Sequence, residues 1–392
     1  MTMADNKDKK VLNVPALRFP EFTEEWEKCK LGDITINFNL RNKDRISYPM
    51  YSVTNNRGFV PQSEQFEDRE MIGEDIKAYK IIHKNDFAYN PARINVGSIA
   101  KYNGDNPCMI SSLYVCFKSC NIVDADWLMQ LLKTSKMNFY YNVNGEGGVR
   151  IYLFYPNFAR ISTSYPKIAE QKKIAKFLSL IDERIATQNK IIEDLRKLKS
   201  AIVDKLYSSA NGVTYSFRQL LEVVNEKNKK LTYSNVLSAS QELGMIERSG
   251  INIDIKFEQD SISGYKIVRK GDYVVHLRSF QGGFAFSDRT GICSPAYTIL
   301  RPNDLVAYGY LSHFFTSRPF IKSLKLVTYG IRDGRSINVD EWLDMTVILP
   351  TRREQIHVLA IINAIDSKLR NETIIQSDLH RQKLCLLNTM FI

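Results

Sequence analysis

PKIAEQKKIAKFLSLIDERI at residues 166–185 and PTRREQIHVLAIINAIDSKL at 350–369 are two copies of one helical repeat, and the rest of the chain is organised around them. Aligned without a gap, Pro166 meets Pro350, Glu170 meets Glu354, Gln171 meets Gln355 and Asp182 meets Asp366. Farther on, Leu195 meets Leu379 and Lys199 meets Lys383, every pair 184 positions apart. In the first copy Ile174, Leu178, Ile181, Ile185, Ile192, Leu195, Ile202 and Leu206 step by threes and fours, with two skips. Val358, Ile362, Ile365, Leu369, Leu379, Leu386 and Met390 follow the same register in the second. That period places them on one helical face, and its alternation of three and four is what a two-stranded coiled coil needs.

The seam is interrupted at matching places, Gln188 with Glu372 and Lys199 with Lys383. Polar seam residues specify pairing at a cost in stability. No Pro or Gly breaks the first copy after Pro166, and about 41 residues at about 1.5 Å each give a rod of roughly 60 Å. Thr351 with Glu354 has the form of a capping box at the second start, and Asn211-Gly212 ends the first rod.

A second, weaker repeat accompanies the rods. SVTNNRGFV from Ser52 answers to SASQELGMI from Ser238, and YKIIHKNDF from Tyr79 to YKIVRKGDY from Tyr265. Ser111 and Tyr114 answer to Ser294 and Tyr297, and Gly148-Val149-Arg150 to Gly330-Ile331-Arg332. The chain therefore reads globule, rod, globule, rod. Short strands are expected at Tyr48–Thr54, Tyr79–His83, Asp86–Tyr89, Ser98–Tyr102 and Leu113–Phe117. A helix capped by Asp124 or Asp126 follows, burying Trp127, Leu128, Leu131 and Leu132.

Hydrophobic residues make up 44% of the 392, enough for real cores, and Lys and Arg outnumber Asp and Glu 54 to 43. The net charge of +11 suits a polyanionic partner. Cys29, Cys108, Cys116, Cys120, Cys293 and Cys385 form no CxxC pair, so reduced thiols are expected rather than a metal site. The charged start MTMADNKDKK lacks the apolar core of a signal peptide, no uncharged run is long enough to span a bilayer, and a cytoplasmic location is expected.

Two similar basic modules held apart by an antiparallel rod pair suit a ligand that repeats at a fixed distance. Duplex DNA does so about every 34 to 36 Å. Because the modules are not identical, the expected site is bipartite and asymmetric, with an unread middle.

VPALRFPEF at 14–22, EEWEKCKLGDI at 24–34, NPAR at 90–93, GGVR at 147–150 and the doubled P...EQ..I...L..ID rod resemble the specificity (S) subunits of type I restriction-modification enzymes over essentially the full chain. The resemblance implies an α+β fold: two mixed α/β target recognition domains separated by two long α-helices that pair as an antiparallel coiled coil, with an internal pseudo-two-fold repeat. The boundaries expected are a flexible leader at 1–17, recognition domains at 18–165 and 211–349, and helical regions at 166–210 and 350–392. The resemblance also implies that the helices dock two methylation subunits, that restriction subunits join, and that S-adenosylmethionine, ATP and magnesium belong to those partners, with no cofactor bound here.

The chain lacks the motifs such chemistry would need. Asn90-Pro91-Ala92-Arg93 departs from an Asn/Asp-Pro-Pro-aromatic motif at Ala92 and Arg93, and there is no GxxxxGK[ST] loop. A non-catalytic recognition subunit is therefore expected; the alternative is a stand-alone DNA-binding scaffold or regulator.

Base edges and phosphates are met by Arg, Lys, Asn, Gln, Ser and Thr. In the first globule the candidates are Thr54, Asn55, Asn56, Arg57, Asn90, Arg93, Asn95, Ser111, Ser112 and Arg150. In the second they are Ser240, Gln241, His276, Arg278, Ser279, Gln281, Ser294, Arg332 and Arg335. Gly58 and Gly244, or Tyr79 and Tyr265, are framework. Arg41, Lys43 and Arg45, and Lys227, Lys229 and Lys230, either meet phosphates or are solvated. Phe177, Ile191, Leu198, Val203, Ile361, Ile375 and Leu387 widen the apolar stripe beyond the seam. They either pack on the globules or meet a partner's helices; the expectation is a partner contact.

Overall fold

The computed structural model describes residues 12–65, 76–148, 151–240, 243–247, 259–276, 283–329 and 336–392. The chain forms two compact units, Met1–Asn189 with Ile375–Ile392, and Lys190–Ile374. Two long helices, Ile168–Ser208 and Arg352–Thr389, contribute residues to both.

The first unit carries β1 (Glu27–Lys30), β2 (Thr35–Phe38), β3 (Met50–Thr54), β4 (Gly58–Pro61), β5 (Lys80–Ile82), β6 (Phe87–Tyr89), β7 (Ile99–Lys101), β8 (Cys108–Ile110), β9 (Val115–Ser119) and β10 (Ser162–Tyr165). They make sheets of order β2-β9-β6-β7 and β4-β3-β8-β5 and the pair β1-β10. All pairings are antiparallel except β3 with β8, where Tyr51 faces Ile110. The second unit carries β11 (Val213–Ser216), β12 (Leu221–Val224), β13 (Leu237–Ser240), β14 (Gly244–Glu247), β15 (Lys266–Val268), β16 (Tyr273–Val275), β17 (Phe284–Phe286), β18 (Gly291–Cys293), β19 (Thr298–Pro302), β20 (Thr328–Tyr329), β21 (Ser336–Ile337) and β22 (Thr346–Leu349). Its order β12-β19-β16-β17 repeats the first sheet. The strand pairs β13-β14 and β15-β18, joined by the parallel bridge Val236–Ile292, repeat the second.

The expected strands are present with two late starts of two residues, and Tyr48–Thr54 begins at Met50. Leu113–Phe117 begins only at Val115, because the Tyr114 N–H donates to the Ser111 carbonyl and closes a turn over Ser112 and Leu113. Asp124 is the helix cap, its carboxylate accepting from the Asp126 and Trp127 N–H groups, and Trp127, Leu128, Leu131 and Leu132 are buried.

In the long helices none of the seam residues is exposed. In the first unit the Lys383 ammonium donates to Asp182 and the Gln376 amide to Asn189, so the two helices run antiparallel there. In the second, Lys199 Nζ donates to Asp366 Oδ1 at 2.5 Å. The capping box forms, with the Thr351 N–H donating to Glu354 at 2.9 Å and the Glu354 N–H to Thr351 Oγ1 at 3.4 Å.

The repeated glutamines tie each helix start to its own unit. Gln171 accepts from the Asp124 N–H at 2.7 Å and donates to the carbonyls of Ile122 and Pro166. Gln355 accepts from the Ala307 N–H at 2.7 Å and donates to those of Leu305 and Pro350. Both are wholly buried. A buried amide left without partners would be costly, and here each has three.

The leader expected to be flexible is anchored where it is described. Asn13 Nδ2 donates to the Trp26 carbonyl at 2.6 Å, and the Leu17 N–H to the Thr389 carbonyl at 2.9 Å. Just beyond it, Arg18 grips buried Glu170 with two hydrogen bonds of 2.7 Å. Trp26, Trp127 and Phe391 meet edge to face or tilted, closing one core; Phe217 stacks on Trp342 at 4.5 Å in the other.

Candidate nucleic-acid interface

In the first unit three loops emerge at one end of the sheets. Because β3 and β8 run parallel, the Thr54–Gly58 turn and the Ser111–Tyr114 turn leave the same edge. Tyr89 pairs with both Val115 and Ile99, which puts the Asn90–Gly97 loop beside them. Ser98 Oγ donates to the Val53 carbonyl at 2.8 Å, and a Cβ on Gly97 would lie 3.2 Å from the Asn55 carbonyl oxygen. The sequence candidates Thr54, Asn55, Asn56, Arg57, Asn90, Arg93, Asn95, Ser111 and Ser112 are thus brought together from three separate segments.

They are not equally available. Asn55, Asn56, Arg57, Arg93 and Ser112 are exposed. Thr54 Oγ1 accepts from the Arg57 N–H and donates to the Gly58 carbonyl, which shapes the turn. Asn90 Oδ1 accepts from the Ala92 N–H at 3.0 Å, so its carbonyl holds the loop. Asn95 donates to Asn142. Gly58 and Gly244 both have positive φ, +66° and +73°, as framework turn residues should.

The second unit repeats the arrangement. Ser240 accepts from the Leu243 N–H, Ser294 from the Ala296 N–H, and the His276 N–H donates to the Gly283 carbonyl at 3.1 Å. Val275 pairs with Thr298 and Phe284, so His276 leaves the same edge as the Ser294 turn. Burial lowers the His276 pKa, favouring a neutral ring. Arg150, Gln241, Arg278, Ser279, Gln281, Arg332 and Arg335 lie outside the described residues.

The basic runs flank these edges. Arg41, Lys43 and Arg45, and Lys227, Lys229 and Lys230, are exposed on loops built around buried Asn42 and Asn228. Those asparagines donate their N–H groups to the Tyr79 and Tyr265 carbonyls, next to β5 and β15. A groove of about 450 Å³ runs beside Asn55, Asn56 and Arg57 and is also lined by Lys101, Gln130 and Lys133. Sequence reading missed Lys101 and Lys133. Neither belongs to a motif or a charge run, and only the fold carries them to the loops.

Of the residues expected to meet a partner's helices, Phe177, Ile191, Leu198 and Ile375 are exposed and Ile361 is half-buried. Val203 and Leu387 are buried, at 4% and 6% exposure, and Leu387 belongs to the core of the first unit. Phe177 also meets Phe19 edge to face at 5.9 Å.

All six cysteines are free, and burial pushes Cys29, Cys108, Cys116 and Cys293 up to about 12. Among the described residues no cluster of three or more His, Cys, Asp or Glu could hold a metal, and no helix is long and apolar enough to cross a membrane.

A family model of the type I restriction modification DNA specificity domain matches residues 23–197. The chain is 23% identical to the type I restriction enzyme MjaVIII specificity subunit of Methanocaldococcus jannaschii, across 98% of this chain and 95% of that one. It is 26% identical over 234 residues to the MjaX specificity subunit of the same organism, spanning about half, 55%, of that protein's length. A chain solved in work on complex assembly and conformational transition of the type I R-M system shares the fold, with a TM-score of 0.61 at 12% identity over 93% of this chain and 96% of that one.

Proposed function

We propose, for a chain that belongs to the family of type I restriction-modification specificity subunits, that each unit reads one half of a split DNA target through the loops at its sheet end. Such a subunit is non-catalytic. The observation that carries the reading is the reuse of one scaffold with different side chains. The Thr54-Asn55-Asn56-Arg57 turn is answered by a turn starting at Ser240, and the Ser111 turn by the Ser294 turn, on the same strand order. Equal scaffolds place the loops equivalently, while unequal side chains present different donors and acceptors to the base edges. The two half-sites should therefore differ, with an unread spacer between them.

The recognition domains are then 18–165 and 211–349, joined by the helical regions 166–210 and 350–392. Exposed Phe177, Ile191, Leu198 and Ile375 are the apolar positions offered to two methylation subunits, with restriction subunits joining the assembly. S-adenosylmethionine, ATP and magnesium would be held by those partners and no cofactor by this chain, in the cytoplasm.

The test is methylome sequencing of a methylation-free host expressing this chain with its methylation subunit, against that subunit alone. A single split motif of methyladenine that appears only with both supports the reading. Co-purification of both proteins without any motif favours a stand-alone DNA-binding scaffold.

A further inference from the structure

We infer that Leu113, at the corner of the turn joining the two sheets of the first unit, reads the 5-methyl group of a thymine in the major groove. The inference rests on the first unit being a DNA reader and adds a residue that polarity-based selection passes over.

Leu113 is 78% exposed, the highest value among the large apolar side chains described. Scattered exposed apolar residues need no explanation by themselves. What sets Leu113 apart is the rigidity of its support. The Tyr114 N–H donates to the Ser111 carbonyl at 3.2 Å and the Leu113 N–H to Ser111 Oγ at 3.4 Å. Lys80 Nζ donates to the Tyr114 carbonyl at 2.6 Å, and the Val53 N–H to the Tyr114 hydroxyl at 3.2 Å.

The second unit builds the same device. The Tyr297 N–H donates to the Ser294 carbonyl at 3.1 Å, the Ala296 N–H to Ser294 Oγ at 3.3 Å, and Lys266 Nζ to the Tyr297 carbonyl at 2.7 Å. Three of the four pinning bonds recur, with Ser for Ser, Tyr for Tyr and Lys for Lys, and the Val53 N–H bond to the Tyr114 hydroxyl is the addition of the first unit. Within the turn only the corner changes, from Ser112-Leu113 to Pro295-Ala296. A pinned frame with an exchangeable, outward corner is what a specificity position requires, since a preorganised tip loses little entropy on contact.

Both exchanged residues, Leu113 and Ala296, are apolar, and Leu113 stands in a cluster of polar loops. Along the major-groove edges of the four bases, the apolar feature is the thymine methyl, and apolar side chains are its usual readers. Hydrogen-bonding Ser111 and Ser112 beside Leu113 suit the adjoining polar edge.

The experiment uses the complex of the full chain with its methylation subunit and duplexes carrying the motif found by methylome sequencing. Each thymine is replaced singly by deoxyuridine, which removes only the methyl, and binding is measured for the wild type and Leu113→Ala. One replacement should weaken wild-type binding about four-fold, as expected for one buried methyl, and leave Leu113→Ala unaffected. If no position distinguishes the two proteins, the inference is overturned. If Leu113→Asn instead releases the methylation subunit with DNA preference intact, Leu113 is a protein contact and the inference is overturned too. Absence of any motif for the wild type removes the DNA reading itself, and that result precedes every substitution.

Discussion

Lys199 Nζ lies 2.5 Å from Asp366 Oδ1 in the second unit, and the pair is the repeat image of Lys383 with Asp182 in the first. Each helix copy supplies the lysine to one pair and the aspartate to the other. The lysines that interrupt the apolar seam are thereby matched to a carboxylate in the opposite copy. Both partners are only about a quarter exposed, 28% for Lys199 and 23% for Asp366. Lys199→Ala should lower stability by about 1 kcal/mol, and a double-mutant cycle with Asp366→Ala should show a coupling of about 1 kcal/mol in urea unfolding. Additive single effects would refute the pairing.

Glu170 and Glu354 occupy the same repeat position in different settings. Glu170 is buried against Arg18 with Trp26 Nε1 at 3.3 Å, whereas Glu354 is an exposed cap. Glu170→Ala strands a guanidinium and should cost about 3–5 kcal/mol. Glu354→Ala should cost about 1 kcal/mol. Thermal denaturation of the two variants would separate them, and equal losses would contradict the structure.

Gln355→Ala removes the partners of a buried N–H and two carbonyls, and a loss of about 2–4 kcal/mol should follow. Chemical denaturation measures it. A loss below about 1 kcal/mol would mean that water replaces the amide.

His313 is pushed down to about 4, chiefly by burial and secondarily by Lys199, against an opposing pull from Asp366. Its ordinary value is 6.5. The folded form resists protonation that the unfolded chain accepts, so the stability difference is fully present above about pH 6.5 and is lost as pH falls toward 4. Unfolding midpoints across that window should fall less steeply for His313→Gln, which installs the residue found at the matching position, Gln130. Identical slopes would exclude His313 from the acid sensitivity.

Lys43 and Lys229 are exposed on matched loops beside the reading edges. If they meet phosphates, each alanine substitution should weaken binding of the assembled complex evenly across sequences and reduce the salt slope by about 1. A changed motif instead would make that lysine a base reader.

The long helices, their register, their polar interruptions and the globule-rod order were legible in the sequence, because periodicity of three and four over some forty residues has no competing interpretation and two copies check each other. The framework of the loops was also legible, since Ser111, Tyr114 and Gly58 recur as Ser294, Tyr297 and Gly244. What only the tertiary structure decided was which side chains face out. Val203 and Leu387 continue an apolar stripe yet are buried. Asn90 has the chemistry of a base reader yet holds its loop with its carbonyl. Leu113 looked like the start of a strand and is the corner of a turn. Spacing along one chain specifies the local face a residue occupies, but burial depends on what distant segments bring to that face, and Arg18, Phe19, Lys80 and Lys101 arrive there only through the fold.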